Sequence, residues 1–156
     1  MDHTDAARAM ADDCLCFRVR RVSRALTRLY DEALRSLEIQ ATQLTTLNAI
    51  ALLEERDAPM SRVADVLSMD LATFSRTLRP LGEAGLVRRV RPEEDGRVRL
   101  VRLTAEGRRT LVRALPLWRE AHARVVEVLG PELARELKGG FDAAVEAAGA
   151  AAEITS

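Results

Sequence analysis

Apolar residues at alternating steps of three and four mark the first strong element of the chain. Leu15, Val19, Val22, Leu26, Leu29, Ala33 and Leu37 form one stripe, which predicts a long helix from about Asp12 to Leu37. Arg18, Arg21, Arg24, Arg28 and Arg35 lie mostly off it. A first helix of that length calls for a packing partner larger than its own small domain, and a second subunit is one candidate. Leu37-Glu38-Ile39-Gln40-Ala41 breaks the stripe. Thr42 is then placed to cap a second helix whose buried face is Leu44, Leu47, Ile50, Ala51 and Leu53. After a polar loop, Ser61 offers a cap for a short third helix with Val63, Ala64 and Leu67 inward. Ser68-Met69-Asp70 is a tight break, and Asp70 caps a fourth helix. That helix turns Leu71, Phe74, Leu78 and Leu81 to the core and shows Thr73, Ser75, Arg76, Thr77 and Arg79 on its other face. Pro80 removes the amide that would bond the Arg76 carbonyl, which predicts a kink or an early loosening. Gly85 is the stop signal.

At Leu86 the period changes. Residues 86–91 and 98–103 read as two strands, and Pro92-Glu93-Glu94-Asp95-Gly96 between them is turn chemistry, so a β-hairpin is predicted. Thr104 caps the next helix, which carries Leu111, Leu115, Trp118, His122, Val125 and Leu129. Gly130-Pro131 closes it and opens a last helix with Leu133, Leu137, Phe141 and Val145, followed by a small, polar tail from Gly149 expected to fray. The fold class is therefore mainly α with a small β-hairpin wing (α+β).

A short helix, a three-residue break, a second helix and a hairpin make the winged helix-turn-helix pattern. A helix with one buried face and short hydroxyls and arginine on the other suits the major groove of duplex DNA. The candidate DNA contacts are Ser61 and Arg62 on the third helix, Thr73, Ser75, Arg76 and Arg79 on the fourth, and Arg97 and Arg99 on the hairpin. Arg97 sits where a projecting loop reaches a minor groove. A competing reading is a winged-helix protein–protein interaction module without specific DNA binding. No nucleophile–base–orienter set and no phosphate-binding glycine loop is visible, so an enzyme is not expected.

The residues also carry a family resemblance. Asp95-Gly96-Arg97, five further residues and then Leu103-Thr104 reproduce a D-x-R…L-T wing signature, continued by Glu106-Gly107. The stretch from Met69 through Leu81, with Gly85-Leu86-Val87 after it, resembles the matching recognition helix and its exit. On these residues the chain resembles the multiple-antibiotic-resistance regulator (MarR) family of bacterial transcription factors. The resemblance implies a single domain over 1–156, with a DNA-binding lobe over 41–103 and dimerisation helices over 12–40 and 104–148. It implies a homodimer that reads a pseudo-palindromic operator as a repressor. Arg97 becomes the minor-groove arginine, and Asp95 the residue that holds the wing shape. Cys14 and Cys16, two apart on a helix where their side chains do not face each other, point separately to a reducing cytoplasm.

Two routes of release follow from the same resemblance. Cys16-Phe17, with Tyr30 further along the helix, resembles the organic-hydroperoxide-sensing branch. There Cys16 would be oxidised, with Arg18 or Arg20 lowering the thiol pKa and Cys14 as the available second thiol. The other reading of Cys16 is a small apolar residue buried at a dimer interface. The second route is a small aromatic or amphipathic acid held between the first, second and fifth helices of the family fold, where Arg20 or Arg24 can pair a carboxylate. Cofactors and metals are not called for. Only His3 and His122 exist, and they are far apart in sequence, so His122 reads as packed or capping and Trp118 and Phe141 as core or interface aromatics. No apolar run is long enough for a membrane helix, and the start of the chain lacks the pattern of a secretory signal.

The total charge, with 24 Lys and Arg against 24 Asp and Glu, lacks the basic excess usual in DNA-binding proteins. The zero is a cancellation. Residues 61–102 carry nine arginines against six acids, and six of those nine fall between Arg88 and Arg102. Residues 17–40 and 103–119 each carry an excess of three positive charges, whereas residues 120–156 carry an excess of four negative ones. The distribution predicts a polarised molecule with a basic lobe.

Overall fold

The structure, a computed structural model, describes residues 2–54, 58–92 and 98–154. Seven α-helices and two strands are found among them: α1 (His3–Asp13), α2 (Leu15–Leu34), α3 (Ala41–Leu53), α4 (Met60–Val66), α5 (Leu71–Glu83), β1 (Val87–Val90), β2 (Leu100–Leu103), α6 (Ala105–Leu129) and α7 (Pro131–Ile154). This is the winged helix-turn-helix order with long helices on either side.

The expected first helix is found as α2, and a helix that was not expected, α1, precedes it. Asp2 caps α1 by accepting from the amides of Thr4 and Asp5, at 2.7 and 2.8 Å. Cys14 then adopts an extended backbone and becomes the N-cap of α2, its sulfur accepting from the Phe17 amide at 3.4 Å. The far end of α2 tightens into one 3₁₀ turn over Arg35–Leu37 and stops at Glu38, whose φ is +55°.

Two predicted caps move, and for the same reason. The second helix starts at Ala41 and not after Thr42, because Asp31 on α2 accepts the Ala41 amide at 2.6 Å while the Gln40 amide donates to Gln43 Oε1. A carboxylate from a neighbouring helix thus meets the positive end of the α3 dipole. The third helix starts at Met60, ahead of Ser61, because the Met60 amide is taken by the Arg99 carbonyl at 2.9 Å. Ser61 is left in the first turn. The Asp70 and Thr104 caps are found as predicted: each side-chain oxygen accepts the amide three residues on, from Thr73 at 2.8 Å and Gly107 at 3.0 Å. The fourth helix continues through Pro80 to Glu83, so the expected early loosening does not occur; Pro80 and Arg76, at the two ends of the missing hydrogen bond, are both exposed. Gly85 ends this helix at φ +69°. The last helix likewise runs beyond Gly149 to Ile154 instead of fraying there.

The strands are shorter than predicted. They pair antiparallel with Val87 opposite Leu103 and Val90 opposite Leu100. Residues ahead of α4 extend the sheet, since Val101 donates to the Ala58 carbonyl at 3.1 Å and Pro59 bridges Leu100. Asp95, Gly96 and Arg97 lie outside the described residues.

The core sits inside the lobe. Leu47 and Ile50 from α3, Val63 from α4, Phe74, Leu78 and Leu81 from α5 and Val101 from β2 are all buried, and Leu34 of α2 and Ala114 of α6 close it from above. Leu71, expected to face inward, is 51% exposed because it occupies the first turn of α5, ahead of the contact with α4. Gly107 lets α6 pass against the lobe: a Cβ there would stand 2.0 Å from the Leu86 carbonyl oxygen. The Thr104 hydroxyl donates to the Gly85 carbonyl at 2.6 Å beside it. The Leu103-Thr104…Gly107 spacing is thus the joint between wing strand and α6.

Candidate nucleic-acid interface

Helix α5 is two-faced. Burying Phe74, Leu78 and Leu81 fixes its rotation on the lobe, so Ser75, Arg76 and Arg79 must face away from the core. At its start Asp70 organises the neighbouring side chains. Asp70 Oδ2 accepts from the Thr73 hydroxyl at 2.6 Å, and Thr73 Oγ1 in turn accepts from Arg76 Nη2 at 2.9 Å. The Thr73 hydroxyl and amide hold the Asp70 carboxyl below its ordinary pKa, so it stays ionised. The Thr73 hydroxyl is thereby committed locally: it orders Arg76 rather than standing free for a phosphate.

The other predicted contacts within the described residues are exposed. Ser61 and Arg62 are exposed in the first turn of α4. Arg79 is exposed and lies 3.8 Å from Glu83. Arg99 is exposed, with its backbone tied to Met60. A groove of about 680 Å³ runs between α5 and β1, with Arg76, Arg79 and Arg89 along it. Arg89 was not singled out by the sequence. Its Nη2 donates to both the carbonyl oxygen and Oγ of Ser75, each at 3.1 Å. The available signal was strand alternation, which puts Arg89 on the side of Val87, the side that meets α5.

The predicted sensor residues do not converge within one chain. Cys16 is exposed, and Arg20 Nε lies 3.4 Å from its sulfur, which pushes the Arg20 pKa up. Tyr30 is fourteen residues on along the same helix, about 21 Å at 1.5 Å per residue. Its hydroxyl meets His122 Nδ1 of α6 at 3.1 Å, and the His122 ring stacks on Trp118 with centroids 4.9 Å apart. Burial pushes the Tyr30 phenol pKa up, so it remains neutral. His122 is exposed, and an aromatic stack and a hydrogen bond hold its ring. Tyr30 and Trp118 line a cavity of about 540 Å³ between α2, α3 and α6, together with Leu34, Leu44, Thr45 and Asn48. Arg20 and Arg24 are not among the residues that line it. Among the described residues, no group of three His, Cys, Asp or Glu side chains is placed to hold a metal ion. No described helix is long and apolar enough to cross a membrane.

Comparison with known proteins agrees with this geometry. Residues 26–107 match the family model of a winged helix DNA-binding domain. The transcriptional regulator MosR of M. tuberculosis, in a structure with DNA, is 35% identical, with 85% of this chain and 96% of that chain covered and a TM-score of 0.72. Apo MarR from E. coli is 26% identical, covers 83% and 96% of the two chains and has a TM-score of 0.66. A MarR mutant complexed with operator DNA shares the fold at a TM-score of 0.74, with 23% identity and 92% and 99% covered. No curated protein sequence matches the chain.

Proposed function

This chain belongs to the MarR family of winged-helix transcription factors, DNA-binding regulators and not enzymes, and from that premise we propose that it acts as a homodimeric repressor released by an effector. The observation that carries the DNA reading is the two-faced α5: Phe74 and Leu81 are buried while Ser75, Arg76 and Arg79 face outward beside a cationic strand. In this reading α5 enters the major groove of each half of a pseudo-palindromic operator. Arg76 and Arg79 supply base-edge or phosphate contacts, Ser61, Arg62 and Arg99 flank them, and Arg97 reaches the minor groove with Asp95 supporting the wing. The DNA-bound structures of relatives support the same use of the fold.

Dimerisation is supported by apolar surface that the chain leaves uncovered. Val19 and Val22 on α2, Val128 on α6, and Phe141 and Val145 on α7 are all exposed. Release by a small aromatic or amphipathic acid is supported by the cavity at the α2–α6 junction. Its walls are mainly apolar, and Tyr30, Thr45 and Asn48 supply hydrogen-bonding groups for a polar end. Those neutral groups take the place of the arginines the sequence suggested. Oxidation of Cys16 is a second reading, favoured by its exposure and the adjacent Arg20 guanidinium.

Titration of the protein on its own upstream region and on a scrambled duplex tests the proposal. Selective binding that weakens steeply with salt is expected. Equal affinity for both duplexes sinks it, and a dimer silent toward DNA at low salt favours a protein-docking module. Arg97→Ala is expected to weaken operator binding by about 1–3 kcal/mol. Peroxide treatment followed by mass spectrometry of Cys16 tests the redox route; an unmodified thiol with DNA binding intact retires it.

A further inference from the structure

The contact between Arg89 and Ser75 joins the two DNA-facing elements of the lobe. Strand alternation places Val87 and Arg89 on one face of β1 and Arg88 on the other. Val87 is buried against the lobe and Arg89 lies just outside it, over the side of α5. Both bonds to Ser75 leave from one nitrogen, Nη2, which reaches the carbonyl oxygen and Oγ at 3.1 Å each.

This changes what Ser75 has to offer. Among the described residues, Thr45, Thr46 and Thr77 spend their hydroxyl protons on carbonyls one turn back. Ser75 Oγ is instead engaged as an acceptor by Arg89. A hydroxyl that accepts on one side presents its proton on the other, and purine N7, guanine O6 and thymine O4 are the acceptors in the major groove.

We propose that Arg89 is a positioning residue for base readout: it fixes β1 to α5 and sets the Ser75 hydroxyl as a donor toward an acceptor on a base edge. The inference rests on the operator-binding reading above. It makes Ser75 and Arg89 one unit, although they lie on different elements.

The test is operator binding by the wild-type dimer, Ser75→Ala, Arg89→Ala, Arg89→Lys and the Ser75→Ala/Arg89→Ala double variant. Each base pair under α5 is varied in turn, and affinity is measured over a range of salt. Both single variants should flatten the preference at the same base pair and lose about tenfold in operator affinity, in the range of a good base contact. The double variant should be no weaker than the worse single variant, within about twofold, as expected for residues that act together. Arg89→Lys should keep the salt dependence without restoring the preference, because an ammonium lacks the planar fork. Arg89→Ala should leave the salt slope unchanged.

An equal loss on operator and scrambled DNA, with the slope reduced by about 0.9, would make Arg89 a phosphate contact and overturn the inference. So would multiplying losses, or preferences that change at different base pairs. If Arg89→Ala fails to fold, Ser75→Ala with an unaltered base preference overturns it alone. A selective wild type with an indifferent Arg89→Ala sinks this inference only, whereas an unselective wild type sinks the operator reading with it.

Discussion

The DNA-binding lobe and the terminal helices solve the burial problem differently. In the lobe each amphipathic element finds its partner in the same chain: Phe74 and Leu81 of α5 and Val101 of β2 have no solvent exposure. On the terminal helices the apolar stripes stay open, with Leu15 at 77%, Val128 at 86% and Val145 at 59%. The same 3.6-residue periodicity underlies both regions. Periodicity reports that a face needs covering, and not whether the cover is intramolecular. Large exposed apolar stripes on well-formed helices mark an interaction surface, which is why the proposed dimer contact is assigned to these helices and the proposed operator contact to the lobe.

The contrast can be broken at its strongest point first. Phe74→Ala should cost the lobe about 3–5 kcal/mol, read by urea denaturation, with a loss independent of protein concentration. Val145→Asp should leave the lobe core intact yet weaken self-association by about 2–4 kcal/mol, the range of interface hot spots. Sedimentation and a concentration-dependent melting temperature check it; a variant that stays dimeric removes α7 from the interface.

The joint between the two regions comes next. Arg108 at the start of α6 grips Glu54 with both terminal guanidinium nitrogens, Nη1 and Nη2, at 2.7 and 2.9 Å, while Glu54 Oε1 also accepts from the Leu103 amide at 3.2 Å. The Glu54 side chain is only 12% exposed. Arg108→Ala leaves this carboxylate without its charged partner and should cost about 1–3 kcal/mol in denaturation midpoint analysis. If lobe and helices move as one through this clamp, operator affinity falls with it.

The smallest effect is a pH dependence. The Asp70 carboxyl is held below its ordinary value of 3.8 by Thr73. A depressed folded-state pKa stabilises the protein above the unfolded value, and that contribution fades as pH falls through the folded one. Stability near neutral pH should therefore not vary through Asp70, and below about pH 4 the wild type should lose more than Asp70→Asn, in thermal melts at matched ionic strength.

Much of the lobe was legible in its residues. Asp70 and Thr104 cap where they were expected because each bond spans three residues, a distance local sequence encodes. Gly85 stops α5 for an equally local reason, a left-handed backbone. The start of α3 was misplaced because its first amide is satisfied by Asp31, ten residues back on another helix. The start of α4 was misplaced because its amide belongs to Arg99 of the wing. Helix α1 was missed because it buries no side chain and so leaves no stripe to read.

The sequence by itself determined the element order from α2 onward, the two-faced helix, the basic hairpin and the family, because these rest on periodicity, turn chemistry and a spaced signature. The tertiary structure decided which polar groups meet. Ser75 with Arg89, Glu54 with Arg108 and Tyr30 with His122 are separated by 14, 54 and 92 residues. Such pairs leave no local trace, since closing long loops is a property of the packed core and not of the segment. The same packing moved the candidate effector site from Arg20 and Arg24 to the cavity under Trp118, because α3 and α6 enclose the C-terminal half of α2 and leave its arginine-rich N-terminal half in solvent.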